Sequence, residues 1–476
     1  MSLSLEIDRH NTRPLYQQIV AQIKREISVG NLPPGTRLPP VRQVAETLAI
    51  NRLTVHAAYS ELQAEGWIES TVGRGTFVLK PAEASSLLAS VGKQMSANSV
   101  LADIHPIKRI STLRSLAYAE PDGRLAPVDE FLGTVGSLRG RADALMMHYD
   151  APQGDEALRV EITALLHERG ILATPDDVMI TSGGMQGLSL AARALAQPGD
   201  AVLVEEPTYL GLVHILEVHG LRPIPIPVTE HGLDMEAVQH ALRTEHPRFL
   251  YVIPSFQNPS GRSLPLEHHS LLLNLAEQHD FMIIEDDVYG LLSYDSAPLP
   301  TLKSCDVHDR VIYISSASKV LMPGLRIGWM LMPQAMTEPV LALRRAMDMC
   351  GPAYTQRAMA HFLSGGRMRA HLRRALPVYR ARRDTLMQAL ARHMPADVRW
   401  SHPRGGFSAW VTLPHANMNQ VYQTALQNNI AFTPGDAFLL RAGNNRHFRL
   451  CFGHQDERAI EEIIALLGEI ITHHNH

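Results

Sequence analysis

Apolar residues in the first part of the chain recur at helical spacing. Leu15, Ile19, Ile23 and Ile27 fall four residues apart and form one apolar helix face within residues 14–30. The pattern predicts further helices over 40–49 and 52–65, the second capped by Asn51. The sequence GWIESTVGRGTFVL then predicts two short strands around a glycine-rich turn. The first 80 residues therefore predict three short helices followed by a β-hairpin.

That order of elements is typical of a winged helix-turn-helix, a domain that places its last helix in the DNA major groove. The segments between the predicted helices have the lengths that a winged helix-turn-helix requires. The alternative from the pattern alone is an ordinary small helical cap. The head is only mildly basic, since residues 1–80 contain nine Lys and Arg against seven Asp and Glu.

The rest of the chain changes character after a segment that lacks periodicity. Residues 80–113 are rich in Ala and Ser, which suits a linker. Short apolar strands then alternate with helical segments, which predicts a mostly parallel sheet covered on both faces. In such sheets, ligands bind at the carboxyl ends of the strands. The polar residues that follow each strand are therefore the candidates for a functional site.

Composition limits the classes that need consideration. The chain has 476 residues, 45% hydrophobic residues and a formal net charge of −4, which indicates a globular protein of two or more domains. Its three cysteines are far apart, so neither a disulfide framework nor a zinc site is expected. The sequence predicts no secretory signal and no membrane span, and we expect a cytoplasmic protein.

The strongest chemical signal is Lys319, which directly follows an apolar strand. Small hydroxyl residues, Ser316 and Ser318, flank it, and Arg326 comes seven residues later. A lysine in this setting suits an aldehyde cofactor that carries a phosphate, because the amine can bond the aldehyde while the hydroxyls and the arginine bind the phosphate. Taken alone, Lys319 could also be a surface lysine near a turn.

Acidic and amide residues end two strands upstream. Asp286 in Glu285-Asp286-Asp287 could pair with a protonated pyridine nitrogen, and Tyr289 could bind the ring oxygen O3′. Adjacent acids could instead indicate a metal site, although no matching His or Asp cluster is evident. Asn258 could give O3′ a second hydrogen bond, and its alternative is a plain Asn-Pro turn.

Three further segments complete the candidate site. Gly184 and Met185 lie between a strand and a helix, where backbone N–H groups can bind phosphate. Tyr209 could stack on a pyridine ring, although a single tyrosine is more often plain packing. Arg449 lies inside an apolar strand, and a buried arginine requires an anion, for which a substrate carboxylate is the natural candidate.

Together these motifs resemble a fold-type I, class I aminotransferase domain over residues 115–472. The resemblance implies pyridoxal 5′-phosphate (PLP) as the cofactor, bound covalently by the catalytic Lys319. It implies that Asp286 pairs with N1, that Tyr209 stacks on the ring and that Arg449 binds a substrate α-carboxylate. It also implies roles for Asn258 and Tyr289 at O3′ and, at the phosphate, for Gly184, Met185, Ser316, Ser318, Arg326 and, across a dimer interface, Tyr149. Gly184-Met185 departs from relatives with hydroxyl or amide side chains, so phosphate binding there would rely on backbone N–H groups.

Residues 12–79 resemble the GntR-type DNA-binding head, with LPPGTRLPPVRQVAETLAINRLTVHAAYSELQAEGWIESTVGRGTFV matching throughout. The resemblance implies that the third helix enters the major groove of double-stranded DNA. Arg52 is the best candidate for a bidentate bond to guanine, and Arg74 at the wing tip could reach the minor groove or a phosphate. The predicted DNA contacts are Arg42, Asn51, Arg52, Thr54, His56, Gly73 and Arg74.

A GntR head fused to an aminotransferase domain is the layout of MocR/GabR-type transcriptional regulators. The predicted fold is thus an N-terminal winged helix-turn-helix (12–79), a linker (80–113) and an α/β PLP-dependent transferase domain (114–472), with a smaller α+β subdomain from about 355. The resemblance implies a homodimer that senses an amino acid or amine through PLP. The alternatives are a sensor of PLP itself and a working aminotransferase with an accessory head.

Overall fold

The structure, a computed structural model, describes residues 5, 7, 14–28, 31–33, 35–64, 67–71, 75–78, 113–141, 146–295, 298–440 and 446–474. These residues fall into two compact units, a head that ends at residue 78 and a large unit that begins at residue 113. No helix within these ranges is long and apolar enough to cross a membrane.

The head contains the predicted helices and hairpin. Its elements are α1 (Leu15–Ser28), β1 (Arg37–Leu38), α2 (Val41–Thr47), α3 (Arg52–Ala64), β2 (Ile68–Thr71) and β3 (Gly75–Val78). Ile19, Ile23 and Ile27 are buried, as their spacing on one helix face requires. The hairpin pairs β2 with β3 antiparallel, and β1 adds a third strand beside β3. The head is therefore a winged helix-turn-helix.

Two helices of the head meet at a short turn whose geometry is set by the sequence. Ala49, between α2 and α3, has a φ of 50° and reverses the chain direction. The Asn51 side chain accepts a hydrogen bond of 2.9 Å from the Leu53 N–H, which confirms the predicted N-cap of α3. On the inner side of α3, the Tyr59 hydroxyl donates to the Pro39 carbonyl at 2.8 Å. The start of α3 is thereby fixed against the preceding segment.

The large unit is built on one sheet of eight strands. After β4 (Arg114–Ser115), these are β5 (Val178–Thr181), β6 (Ala201–Glu206), β7 (Arg222–Thr229), β8 (Gly232–Leu233), β9 (Phe249–Val252), β10 (Met282–Asp286), β11 (Val311–Ser316) and β12 (Gly328–Leu331). Their order across the sheet is β5-β12-β11-β10-β9-β6-β7-β8. Only β12 and β8 run against the others. The sheet is mostly parallel, as predicted.

Helices cover both faces of this sheet. The large-unit helices are α4 (Val128–Ser137), α5 (Glu156–Glu168), α6 (Gly184–Leu195), α7 (Leu210–His219), α8 (Met235–Thr244), α9 (Leu266–Gln278), α10 (Gln334–Asp348), α11 (Ala353–Ser364), α12 (Arg367–His393), α13 (Met418–Gln427) and α14 (Glu457–His474). Val311 packs with Leu272 of α9 in one apolar cluster. Ile314 of the same strand faces Gly187 of α6. Since residues of opposite parity on a strand point to opposite faces, α6 and α9 lie on different sides.

A second sheet follows in the C-terminal part. It contains β13 (Arg399–Trp400), β14 (Ser408–Thr412), β16 (Thr433–Pro434) and β17 (His447–Cys451), in the antiparallel order β13-β14-β17-β16. The short strand β15 (Ile430–Ala431) pairs in parallel with β4. The smaller α+β region expected after residue 355 thus has a sheet of its own.

Residues 113–122 form an entry segment that leads into the large unit. The Leu116 N–H donates to the Ala431 carbonyl, and the Leu116 carbonyl accepts from the Cys451 N–H. At the far end, the buried Asp122 carboxylate pairs with Arg382 at 2.7 Å. The backbone N–H of Asp122 donates to the Tyr379 hydroxyl. The entry segment is therefore held along its length by the C-terminal part of the chain.

We predict that Asp122→Asn destabilises the large unit by about 3 kcal/mol, because it leaves the Arg382 guanidinium buried without its carboxylate. Burial raises the pKa of Asp122, but hydrogen bonds from Arg124 and Arg382 outweigh this and lower it to about 2. A lowered pKa stabilises the fold above the unfolded value near 3.8, and this contribution disappears as the pH falls through about 2.

Urea unfolding at neutral and acidic pH measures this effect. The difference between wild type and Asp122→Asn should shrink between about pH 4 and about pH 2. Glu462→Gln removes an exposed ion pair with Arg458 and serves as the control, with an expected change below about 0.5 kcal/mol. Equal midpoints for wild type and Asp122→Asn at neutral pH would contradict the prediction.

Candidate functional site

The parallel strands end at one edge of the sheet, and Asp286 is the last residue of β10 there. Its carboxylate accepts a hydrogen bond of 2.8 Å from the Tyr251 hydroxyl, on the adjacent strand β9. Burial raises the pKa of Asp286 to about 6, although the Tyr251 hydrogen bond and the charge of Lys319 lower it. The site thus contains a buried carboxylate with one oxygen held by a phenol.

The three consecutive acids of this strand end have different partners. Asp287 accepts from both Arg169, at 2.9 Å, and the Tyr313 hydroxyl, at 2.8 Å. Glu285 accepts from the Leu302 and Lys303 N–H groups, each at 2.8 Å. Within the described ranges, no group of His, Cys, Asp and Glu is arranged to hold a metal ion. The acids therefore serve separate hydrogen-bond networks.

Lys319 lies in the turn after β11, at the same edge. Its Nζ donates to the Ala119 carbonyl of the entry segment at 2.8 Å. Burial lowers the pKa of Lys319, partly offset by the negative charges of Glu120 and Asp286. A lowered pKa increases the neutral fraction of the amine, and the neutral form is the nucleophile. The environment of Lys319 is thus suited to attack on a carbonyl carbon.

The start of α6 and Arg326 together form a candidate anion site. Gly183, before α6, has a φ of 103°, and a Cβ there would come within 2.7 Å of the Arg326 guanidinium. Arg326 donates to the Ser182 carbonyl at 2.6 Å, while Gly184 and Met185 begin the helix. The first N–H groups of a helix carry partial positive charge and bind anions. The positive φ favours glycine at 183, and a larger side chain there would also displace the Arg326 guanidinium.

The two predicted serines lie at the end of β11 and in the turn that carries Lys319. Ser316 is the buried last residue of β11, and Ser318 lies in the following turn. The Ser318 N–H points to the Ser316 hydroxyl at 3.4 Å. Both hydroxyls are thus within three residues of Lys319 along the chain, on the turn that carries it.

Arg449 and Asn258 are joined directly. Arg449, on β17, donates to the Asn258 side-chain oxygen at 2.7 Å and to the Ala117 carbonyl at 2.6 Å. The guanidinium lies over the Phe438 ring at 4.8 Å. Its buried Nε has no hydrogen-bond partner among the described residues. A buried cation whose named acceptors are neutral favours an incoming anion.

Two of the three predicted aromatic residues of the site, Tyr209 and Tyr289, are packed. A Cβ on Gly211 would lie 2.5 Å from the Tyr209 ring, so the ring rests against the α7 backbone. Burial raises the pKa of Tyr209 to about 12. Tyr289 is buried with its ring edge-on to Phe407 at 6.3 Å. Both phenols are therefore neutral hydrogen-bond donors at ordinary pH.

Tyr149 is the predicted site residue that is not packed with the others. Its side chain is 83% exposed. The contribution of Tyr149 to a neighbouring subunit stays a prediction.

Two features of the site were missed by sequence reasoning. Tyr251 lies inside an apolar strand, where a buried phenol needs a hydrogen-bond partner. This requirement could have pointed to a contact with Asp286, which accepts the Tyr251 hydrogen bond. The entry segment contacts Lys319 and Arg449 through the carbonyls of Ala119 and Ala117. Main-chain contacts leave no trace in residue identity, so this part of the site had no sequence signal.

The predicted DNA contacts of the head lie at the start of α3 and on α2. Arg42 and Arg52 are exposed, and both guanidinium groups lie near the Glu46 carboxylate, at 3.0 and 3.7 Å. His56 is exposed, with its Nδ1 3.3 Å from the Ser60 hydroxyl, and Thr54 is partly buried. The remaining predictions, Gly73 and Arg74, lie outside the described residues.

Comparisons with known proteins match both units. Residues 141–467 match the family of class I and II aminotransferases, and residues 15–78 match the gntR family of bacterial regulatory proteins. The HTH-type transcriptional regulator YdfD of Bacillus subtilis is 30% identical, with 96% of each chain covered. The chain belongs to the MocR/GabR-type family of regulators.

Other comparisons agree with the MocR/GabR-type assignment. The probable rhizopine catabolism regulatory protein MocR of Rhizobium meliloti is 30% identical over 82% of this chain and 80% of its own. The Pyrococcus horikoshii kynurenine aminotransferase, solved with pyridoxamine phosphate and its substrates, has a TM-score of 0.75 and 30% identity, covering 81% of this chain and 96% of that one. The large unit of this MocR/GabR-type chain therefore has the fold-type I aminotransferase fold.

Proposed function

We propose that this regulator binds DNA through its head and binds PLP and an amine-bearing effector through its large unit. The observation that carries the proposal is the half-buried Lys319 amine at the sheet edge that also holds Asp286 and the candidate anion site of Gly184 and Arg326. PLP, when bound, supplies an aldehyde that reacts with amines and a pyridinium ring that withdraws electrons. The residues of this edge fit the aldehyde, the ring nitrogen and the phosphate of PLP.

Each part of the site has a separate task in this proposal. Lys319 would supply the amine that bonds the aldehyde, and Asp286 would hold a proton on the ring nitrogen. Asn258 and Tyr289 donate to the ring oxygen, and Tyr209 packs against the ring. The phosphate is bound by the residues at the start of α6 and around Lys319, namely Gly184, Met185, Ser316, Ser318 and Arg326, together with Tyr149 from a second subunit.

Arg449 limits the effector to molecules with an anionic group. Its unpartnered Nε and its neutral acceptors support binding of a carboxylate, which a guanidinium can hold with two parallel hydrogen bonds. An amino acid carries this group together with an amine that would compete with Lys319 for the cofactor aldehyde. We therefore propose an amino acid as the effector and a homodimer as the DNA-binding form, since a twofold protein suits paired half-sites.

Lys319→Ala is expected to abolish covalent attachment of PLP. Borohydride reduction of the PLP-loaded protein followed by peptide mass spectrometry should find the label on Lys319 in the wild type and at no lysine in the variant. Lys303→Ala is the control, because Lys303 pairs with Asp306 on another network. A reduced label on a different lysine would refute the assignment.

Tyr251→Phe is expected to weaken PLP binding by about tenfold, the effect of losing a hydrogen bond to a charged group. The lost bond also raises the pKa of Asp286 above its value of about 6. The variant should therefore lose more affinity near pH 6 than near pH 8, where Asp286 is ionised in both proteins.

Spectrophotometric titration of PLP at both pH values measures this effect. Tyr313→Phe is the matched control, because it removes an equivalent phenol from the adjacent carboxylate Asp287, which keeps Arg169. Its PLP affinity should stay within about twofold of wild type. Equal losses for both variants, without pH dependence, would indicate a purely structural role for Tyr251.

The regulatory function itself is tested with full-length protein and a duplex selected from a randomised pool. Fluorescence anisotropy should detect specific binding that changes when a panel of amino acids is added to the PLP-loaded protein. A response to PLP alone would identify a cofactor sensor, and rapid keto-acid production would favour an aminotransferase. Absence of specific DNA binding at physiological salt would overturn the proposal.

A further inference from the structure

Leu53, in the first turn of α3, is an apolar side chain in an unusual place. It is 75% exposed, whereas the other large apolar side chains in the described part of the head are buried or half-buried. Exposing a leucine of this size forgoes the stabilisation that burial would give. Single exposed leucines are common on protein surfaces, so exposure alone carries no function. The position of Leu53 on the helix supplies the second observation.

The start of α3 holds Leu53 in a fixed direction. Its N–H donates to the Asn51 side chain at 2.9 Å, which locks the first turn. Cα–Cβ bonds in a helix tilt toward the N-terminus, so the Leu53 side chain extends over the end of the helix that carries Asn51 and Arg52. On the opposite face, Val55 and Tyr59 are buried in the head. Leu53 therefore lies on the exposed face, among the predicted DNA contacts.

The surroundings of Leu53 match the chemistry of a DNA groove. Arg42 and Arg52 are 74% and 62% exposed and present two guanidinium groups, with one carboxylate, Glu46, between them. A positively charged surface around the end of a recognition helix is complementary to the phosphates that line the major groove. In that groove the C5-methyl group of thymine is the apolar feature that a leucine can contact.

We propose that Leu53 reads a thymine methyl group in the major groove and so determines one base of the operator. The inference rests on the proposed DNA binding and adds a specific base to it. Arg42 and Arg52 supply affinity or guanine recognition, while Leu53 supplies discrimination between thymine and the other bases. Contact with an apolar side chain excludes water from the methyl group, and the leucine gains the burial that it lacks in the free protein.

Deoxyuridine substitution tests the proposal because it removes only the methyl group and leaves base pairing unchanged. The probe is the tightest duplex recovered from the randomised pool with PLP-loaded full-length protein. Each thymine is replaced in turn, and affinity is measured by anisotropy. At one position per half-site, replacing thymine with deoxyuridine should lower the affinity of the wild-type protein by about fourfold, which is the factor expected for one buried methyl-sized group.

Leu53→Ala supplies the second arm of a double-mutant cycle. Alanine maintains the helix, and thermal unfolding checks that the head of the variant is as stable as that of the wild type. The variant should bind the thymine duplex about fourfold or more weakly and should no longer distinguish thymine from deoxyuridine at that position. Leu172→Ala removes a 94% exposed leucine from the large unit and should leave the discrimination intact.

The outcomes separate this inference from the proposed function. Absence of any selected duplex would overturn DNA binding itself, and the inference with it. Specific binding in which no thymine is sensitive to loss of its methyl group would overturn the role of Leu53 alone. The same conclusion follows if Leu53→Ala keeps full discrimination, or if it changes the oligomeric state or stability while the thymine preference is unchanged.

Discussion

The direction of the strands in the central sheet is the constraint on which the candidate site depends. Because β5, β6, β9, β10 and β11 run the same way, the residues that follow them meet at one edge. Residues as distant in sequence as Gly184 and Lys319 are brought together by this rule. The antiparallel strand β12, between β5 and β11, returns the chain directly after Arg326 and places that guanidinium beside Ser182.

Burial of charge is the second condition that defines the site. Asp286, Lys319 and Arg449 are all removed from much of the solvent, and each is held by a neutral partner: a phenol, a main-chain carbonyl and an amide. Neutral hydrogen-bond partners fix the position of a charged group but do not neutralise its charge. Asp287 differs in this respect, because it pairs with the Arg169 guanidinium at 2.9 Å, so adjacent carboxylates at one strand end have different electrostatic environments.

Much of this arrangement could be predicted from residues alone, because it follows from periodicity and strand ends. The helices of the head, the mostly parallel sheet and the position of Asp286 and Lys319 after buried strands are local properties. Other features depend on contacts between distant segments. Ala119 meets Lys319 through a carbonyl that any residue would provide, and the hydroxyl of Tyr251 finds its acceptor, Asp286, on a different strand. The exposure of Leu53 also required the packed head, since its apolar character predicts burial.

The entry segment lies directly against two charged side chains of the candidate site. It starts at Leu113, where the predicted linker ends, and its carbonyls reach Arg449 at Ala117 and Lys319 at Ala119. Even fully extended, the stretch from Leu113 to Ala119 spans no more than about 20 Å. A group that claims the Lys319 amine or the Arg449 guanidinium competes with these carbonyls for the same hydrogens. Occupancy of the site therefore bears first on the backbone of the entry segment at Ala117 and Ala119.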